Sequence, residues 1–181
     1  MKRTPELKTL GKLVRRLHKA GYEPVLIGAM ALIVYGSPRV TFDTDLLTAR
    51  PREINQAKRL MAAVFGAGFV YVTKFDEHSH PVSWIEIPNV AAARLMMDHP
   101  DTCFLWNRGT QMRVDILLDF PIPASEVLKD ANRVAVGGSV LLPVASLTAL
   151  SVLKEIALRD RSRPEDAQDL AFIKARLSSS D

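Results

Sequence analysis

One cysteine in 181 residues, Cys103, leaves the chain without any internal disulfide framework and fits a reducing compartment such as the cytoplasm. Long apolar runs are also missing. The longest, Val25 to Tyr35, is broken by Gly28 and is too short to cross a bilayer, so no membrane partner is expected. The leading Met1-Lys2-Arg3-Thr4-Pro5-Glu6 opens a charged amphipathic segment instead of the apolar core of a secretory signal. Neither charge sign dominates. The 24 bases against 20 acids give +4, an excess that suits a nucleotide or nucleic-acid partner without requiring one. With no internal repeat and no low-complexity block, solenoid and disordered architectures drop out.

What remains is 48% hydrophobic, enough for a well-buried core. Pro5 to Gly21 reads as a helix with Leu7, Leu10, Val14 and Leu17 on one face and Lys8, Lys12, Arg15, Arg16 and Lys19 on another. Pro24–Ile27 reads as a buried strand, followed by a small-residue helix from Gly28 through Tyr35 and a turn at Gly36-Ser37-Pro38. Arg39–Leu47 reads as the return strand, with Val40, Phe42, Thr44 and Leu46 facing the interior. A helix from Pro51, with Ile54, Ala57, Met61, Val64 and Phe65 on its buried face, is closed by Gly66 and Gly68. Strands are expected at Phe69–Thr73, Val82–Ile87, Cys103–Trp106 and Gln111–Leu118, the last two joined as a hairpin. Beyond Phe120 come a proline-marked linker, a short helix at Ser125–Ala131, a hairpin of Arg133–Val136 with Ser139–Leu142, and helices at Leu147–Arg159 and Glu165–Leu177. The tail Ser178–Asp181 is expected to fray. We expect one domain, with residues 1–120 as an α/β core and 121–181 as a mostly helical end.

Chemistry concentrates in Arg39-Val40-Thr41-Phe42-Asp43-Thr44-Asp45. Strand alternation puts Arg39, Thr41, Asp43 and Asp45 on one side. Two neighbouring carboxylates need a proton, an arginine or a divalent cation between them, and Mg²⁺ with its oxygen preference suits such a pair. Asp115 projects from Gln111–Leu118 opposite Val114, Ile116 and Leu118, beside Arg113. If its strand adjoins the first, three acids converge and can hold two Mg²⁺ ions roughly 3.5–4 Å apart. The Gly28-Ala29 turn offers backbone N–H groups to phosphate. Ser37, Arg39 and Lys154 are the candidate donors and cations for a triphosphate.

Gly28-Ala29, Arg39-x-Thr41-x-Asp43-x-Asp45 and the distal Asp115 together resemble the DNA polymerase β-type nucleotidyltransferase superfamily. The late run Leu153-Lys154-Glu155-Ile156-Ala157-Leu158-Arg159, with Arg163-Pro164-Glu165-Asp166-Ala167-Gln168-Asp169-Leu170, is similar to its AbiEii-type branch, the toxin half of type IV toxin–antitoxin pairs. The resemblance covers residues 25–47, 111–119 and 143–173 in outline. It implies an α/β (α+β) nucleotidyltransferase fold: a mixed twisted sheet with flanking helices and a helical C-terminal end. It implies an enzyme in which Asp43, Asp45 and Asp115 are catalytic and bind metal, and Gly28, Ala29, Ser37, Arg39, Thr41, Lys154, Asp166 and Asp169 surround the nucleotide. The implied reaction is Mg²⁺-dependent transfer of an NMP from an NTP to a hydroxyl, on a tRNA 3′ end or a protein, with a cognate antitoxin as a further partner. Ala29 stands where the family usually has Gly or Ser. That departure supports the alternative of a non-catalytic binding module; a small-molecule, antibiotic-modifying nucleotidyltransferase is the other.

Remaining candidates have plainer readings. Asp76, Glu77, His78 and His80 fit a polar loop better than a metal cluster. Cys103, Trp84 and Trp106 fit packing, and His18 and His99 have no evident partner. From helix physics alone, Asp166 and Asp169 also suit a helix start, and Lys154 an exposed ion pair with a nearby acid.

Overall fold

The computed structural model describes residues 5–138, 140–161 and 163–179. In chain order the elements are α1 (Pro5–Lys19), β1 (Val25–Ile27), α2 (Gly28–Val34), β2 (Asp43–Thr48), α3 (Ile54–Gly66), β3 (Val70–Phe75), β4 (Pro81–Ile85) and α4 (Pro88–Asp98). They continue with β5 (Thr102–Asn107), β6 (Met112–Leu118), α5 (Ala124–Leu128), β7 (Asn132–Val136), β8 (Val140–Val144), α6 (Leu147–Arg161) and α7 (Pro164–Ser178). Ser139, placed at the start of a strand by the sequence, and the end of the tail at 180–181 lie outside the described residues.

Among the described residues, eight strands form one sheet in the order β4-β3-β5-β6-β2-β1-β8-β7. It is mixed: β2 runs parallel to β6, and β1 parallel to β8, while the other neighbours are antiparallel. The two parallel joints bring together segments distant in sequence, as parallel pairing requires. Leu26 of the three-residue β1 is opposite Val144, and Ile27 is opposite Asp45. The C-terminal hairpin thereby extends the sheet beyond its first 120 residues.

Alternation divides the central strands into two faces. Thr44, Leu46, Val114, Ile116, Leu118, Cys103 and Leu105 are buried, the aliphatic ones each contributing about 1.5–3 kcal/mol. α1 packs on α3 and on the β7–β8 hairpin, and α3 packs on α4. On α1 the buried stripe is Leu10, Leu13, Val14 and Leu17. Gly11 lets this helix press on the hairpin, because a Cβ there would stand 3.0 Å from the Gly137 backbone. Gly21 (φ +86°) then ends the helical path, with Tyr22 N donating to Leu17 O at 2.9 Å.

Three local expectations are corrected. The strand begins at Asp43 instead of Arg39, and Val40 and Phe42 are 78% and 89% exposed where an interior position was expected. β1 ends opposite Asp45 and β6 ends its pairing opposite Asp43, so residues 39–42 have no ladder to join. α3 starts at Ile54, which is 40% exposed, and not at Pro51. Finally, residues 88–98, to which the sequence reading assigned nothing, form α4, with Pro88 in its first turn and Ala91, Ala92 and Leu95 buried. Among the described residues, no helix is long and apolar enough to cross a membrane.

Candidate active site

The β2–β6 pairing sets the site. Asp45 is directly opposite Asp115 in the parallel register, and Asp43 opposite Arg113, so one sheet face carries all four side chains. Their face forms the floor of a cleft of about 1000 Å³ whose far wall is α6, including Leu150, Leu153 and Lys154. Gly28 lies at its edge with φ +68°, and a Cβ there would overlap the Asp45 carboxylate. Both facts demand glycine: L-residues rarely adopt that φ, and the carboxylate occupies the vacated space.

The carboxylates are electrostatically crowded. Burial, then the neighbouring Asp115 and Asp43 charges, push the Asp45 pKa up to about 6 against the pull of Lys154 and Arg113. Burial also raises Asp115, although Arg113 opposes it. Arg113 Nε donates to Asp115 Oδ1 at 2.9 Å and Nη2 to Oδ2 at 2.8 Å, while Nε stands 3.9 Å from Asp43 Oδ1. Burial works against the Arg113 charge, but these carboxylates outweigh it and hold its pKa above the ordinary value.

An all-oxygen donor set with uncompensated negative charge at Asp45 suits a hard divalent cation. As the side chains stand, no three His, Cys, Asp or Glu groups among the described residues form a ready cage. Arg113 instead holds both oxygens of Asp115. The residues therefore fit Mg²⁺ in kind, with Asp43 and Asp45 as the ligands that Arg113 leaves more accessible.

A second charged cluster lies on the α6 side. Lys154 Nζ donates to Asp166 Oδ1 at 2.8 Å and pairs with Asp169 Oδ2 at 2.6 Å; all three side chains are buried. Arg39 reaches across from the α2–β2 loop to pair with Asp169. Lys154 is thus tied to α7 acids instead of standing alone, and the network anchors α7 to the loop that leads into Asp43.

Of the residues picked out by sequence, Gly28, Ala29, Arg39, Thr41, Asp43, Asp45, Asp115, Lys154 and Asp166 line the cleft. Ser37 and Asp169 do not. Ser37 Oγ accepts from Arg39 N at 3.4 Å, shaping the loop, and Asp169 lies behind Lys154 and Arg39. Arg113 was noted only as a neighbour of Asp115; its two-residue spacing on a strand was the signal for a shared face. Arg163 and Glu165, quoted within the late motif but given no role, line the cleft at the α6–α7 junction, as do Asp160, Phe104 and Phe120, which the sequence did not point to.

No protein-family model matches the chain, and no curated protein does either. Solved structures do. Over 97% of this chain and 85% of the other, the fold matches the antibiotic-resistance factor ANT(2'')-Ia, with TM-score 0.58 and 10% identity. Over 94% and 76%, it matches an antigenic nucleotidyltransferase-like protein from Paracoccidioides brasiliensis, with TM-score 0.55 and 18% identity. The architecture is the nucleotidyltransferase fold: a mixed eight-stranded sheet with flanking helices and a helical C-terminal end.

Proposed function

We propose that the protein is a Mg²⁺-dependent nucleotidyltransferase that transfers the NMP of an NTP to a hydroxyl acceptor and releases pyrophosphate. The observation that carries this reading is the Asp45–Asp115 register pair, with Asp43 on the same face, in a cleft edged by Gly28. Bound there, Mg²⁺ would neutralise triphosphate charge and make the acceptor hydroxyl easier to deprotonate. Asp43, Asp45 and Asp115 are the residues to hold it. The acceptor oxygen attacks the α-phosphorus as the bond to the bridging oxygen of pyrophosphate breaks. The hydroxyl proton passes to a carboxylate of the trio. We assign it to Asp115, which would hold the cation together with Asp43 and Asp45 from the adjoining strand. Arg39 and Lys154 also line the cleft, where a triphosphate would share their charge with Asp166 and Asp169, the acids they pair with.

For the acceptor we favour a tRNA 3′ end or a protein side chain, and the AbiEii-like toxin role with a cognate antitoxin, on the Lys154, Asp166 and Asp169 pattern. The similarity to ANT(2'')-Ia, described as an antibiotic-resistance factor, favours a small-molecule acceptor as second reading. The test is incubation with each labelled NTP, Mg²⁺ and total tRNA, beside Asp43→Ala and a parallel panel of hydroxyl-bearing antibiotics. Label reaching tRNA only with the unaltered protein supports the first reading; label reaching an antibiotic supports the second. Transfer that survives in Asp43→Ala overturns the site.

A further inference from the structure

Arg113 is the feature that the proposed reaction leaves unexplained. Its guanidinium uses both oxygens of Asp115, at 2.9 and 2.8 Å, and stands 3.9 Å from Asp43, its register partner across the parallel joint. From the other side, its Cζ lies 4.8 Å from the Phe75 ring centroid and 5.4 Å from that of Phe104. The two rings meet edge to face at 5.3 Å. A planar cation held bidentate by a carboxylate and flanked by two aromatic rings is fixed in position more firmly than a freely solvated side chain. Only 22% of the side chain is exposed, so solvent screens the pair less than it would a surface ion pair.

We propose that Arg113 is a built-in lock on the acidic trio, occupying Asp115 in place of a divalent cation until an anionic substrate draws the guanidinium away. The inference rests on the metal-binding role given to the trio above. Hard cations need carboxylate lone pairs and negative charge, and while the pair persists the guanidinium takes one lone pair on each Asp115 oxygen and sets a positive charge beside both. A cation that needs the unlocked form binds with its affinity reduced by the unlocked fraction. Phosphate oxygens compete well for guanidinium, matching its planar fork as a carboxylate does. Triphosphate arriving in the cleft therefore provides Arg113 with a new partner as it releases Asp115. Arg113 acts through Asp115 and is a positioning residue.

The test measures Mn²⁺ alone, without nucleotide, binding to the full chain, read from the electron paramagnetic resonance of the free ion. Arg113→Gln is expected to bind Mn²⁺ about tenfold more tightly than the unaltered protein, as for a lock closed some nine-tenths of the time. The gain is expected to vanish when Asp115→Asn is already present. Arg113→Lys, which keeps charge but loses the bidentate fork, should fall between, and carries the test if the glutamine variant melts early by circular dichroism. Arg108→Gln, which removes a nearby exposed charge paired with Glu86, should change nothing. Equal tightening in Arg108→Gln, no tightening at Arg113, or a gain that persists without Asp115 overturns the lock. Mn²⁺ binding to Arg113→Gln that is indifferent to Asp43→Asn and Asp45→Asn overturns the metal-binding reading itself.

Discussion

Asp45→Asn should make the protein more stable near neutral pH even though it removes a proposed catalytic group. The Asp45 pKa near 6 stands about two units above an ordinary aspartate, and each unit is worth about 1.36 kcal/mol. Ionising Asp45 in the folded protein therefore costs up to about 3 kcal/mol. Partial solvent access reduces this, and about 1–2 kcal/mol is the expected gain for an uncharged isostere. The sign follows from proton linkage. The folded pKa lies above the unfolded one, so the native state holds more protons between pH about 4 and 6, and stability falls as pH rises through that window. For a chain of this length the gain corresponds to roughly 2–8 °C in Tm. Thermal denaturation followed by circular dichroism, without divalent ions, at pH about 7.5 and about 4 measures it directly. The Asn variant should melt higher at the upper pH and close to the unaltered protein at the lower one. A variant that melts lower at neutral pH, or a gain of equal size at both pH values, would refute the crowding argument.

Gly28→Ala should lower stability by about 1–3 kcal/mol, combining positive-φ strain with overlap on the Asp45 carboxylate. Adding Asp45→Ala should recover the overlap part but leave the backbone part, as a double-mutant cycle in urea will show. Lys154→Met should cost about 3–5 kcal/mol by urea midpoint, since Asp166 and Asp169 would stay buried with a cation lost. Gly11→Ala should cost about 1–3 kcal/mol by the same assay, because its Cβ meets the Gly137 backbone, which cannot yield as a flexible side chain could.

Local alternation made the floor of the cleft legible in the sequence. Asp43, Asp45 and Asp115 were read as sharing faces because side chains alternate along a strand, and the register places Asp45 against Asp115. The same alternation misled for residues 39–42, where the pattern continues but no neighbouring strand remains to pair with. Periodicity reports which way side chains would point; it does not report whether a ladder exists. The helix at 88–98 was missed although Pro88 marks its first turn: its apolar stripe is short, and His99 in a left-handed conformation ends it without a glycine. The Arg39–Asp169 and Lys154–Asp166 pairs lay beyond sequence reading for another reason. They join charges on separate elements, the first across 130 positions, and only tertiary packing selects those partners.

The cleft's construction dictates when it can exist during synthesis. Its floor needs two strands 70 positions apart in register, the strand leading to Gly28, β1, lies between β2 and β8, and α6 lines the cleft above them. A growing chain that has released its acids from the ribosome still lacks the wall and the lysine that faces them. The charged cleft is consequently open to solvent until α6 and α7 have emerged and docked on the sheet.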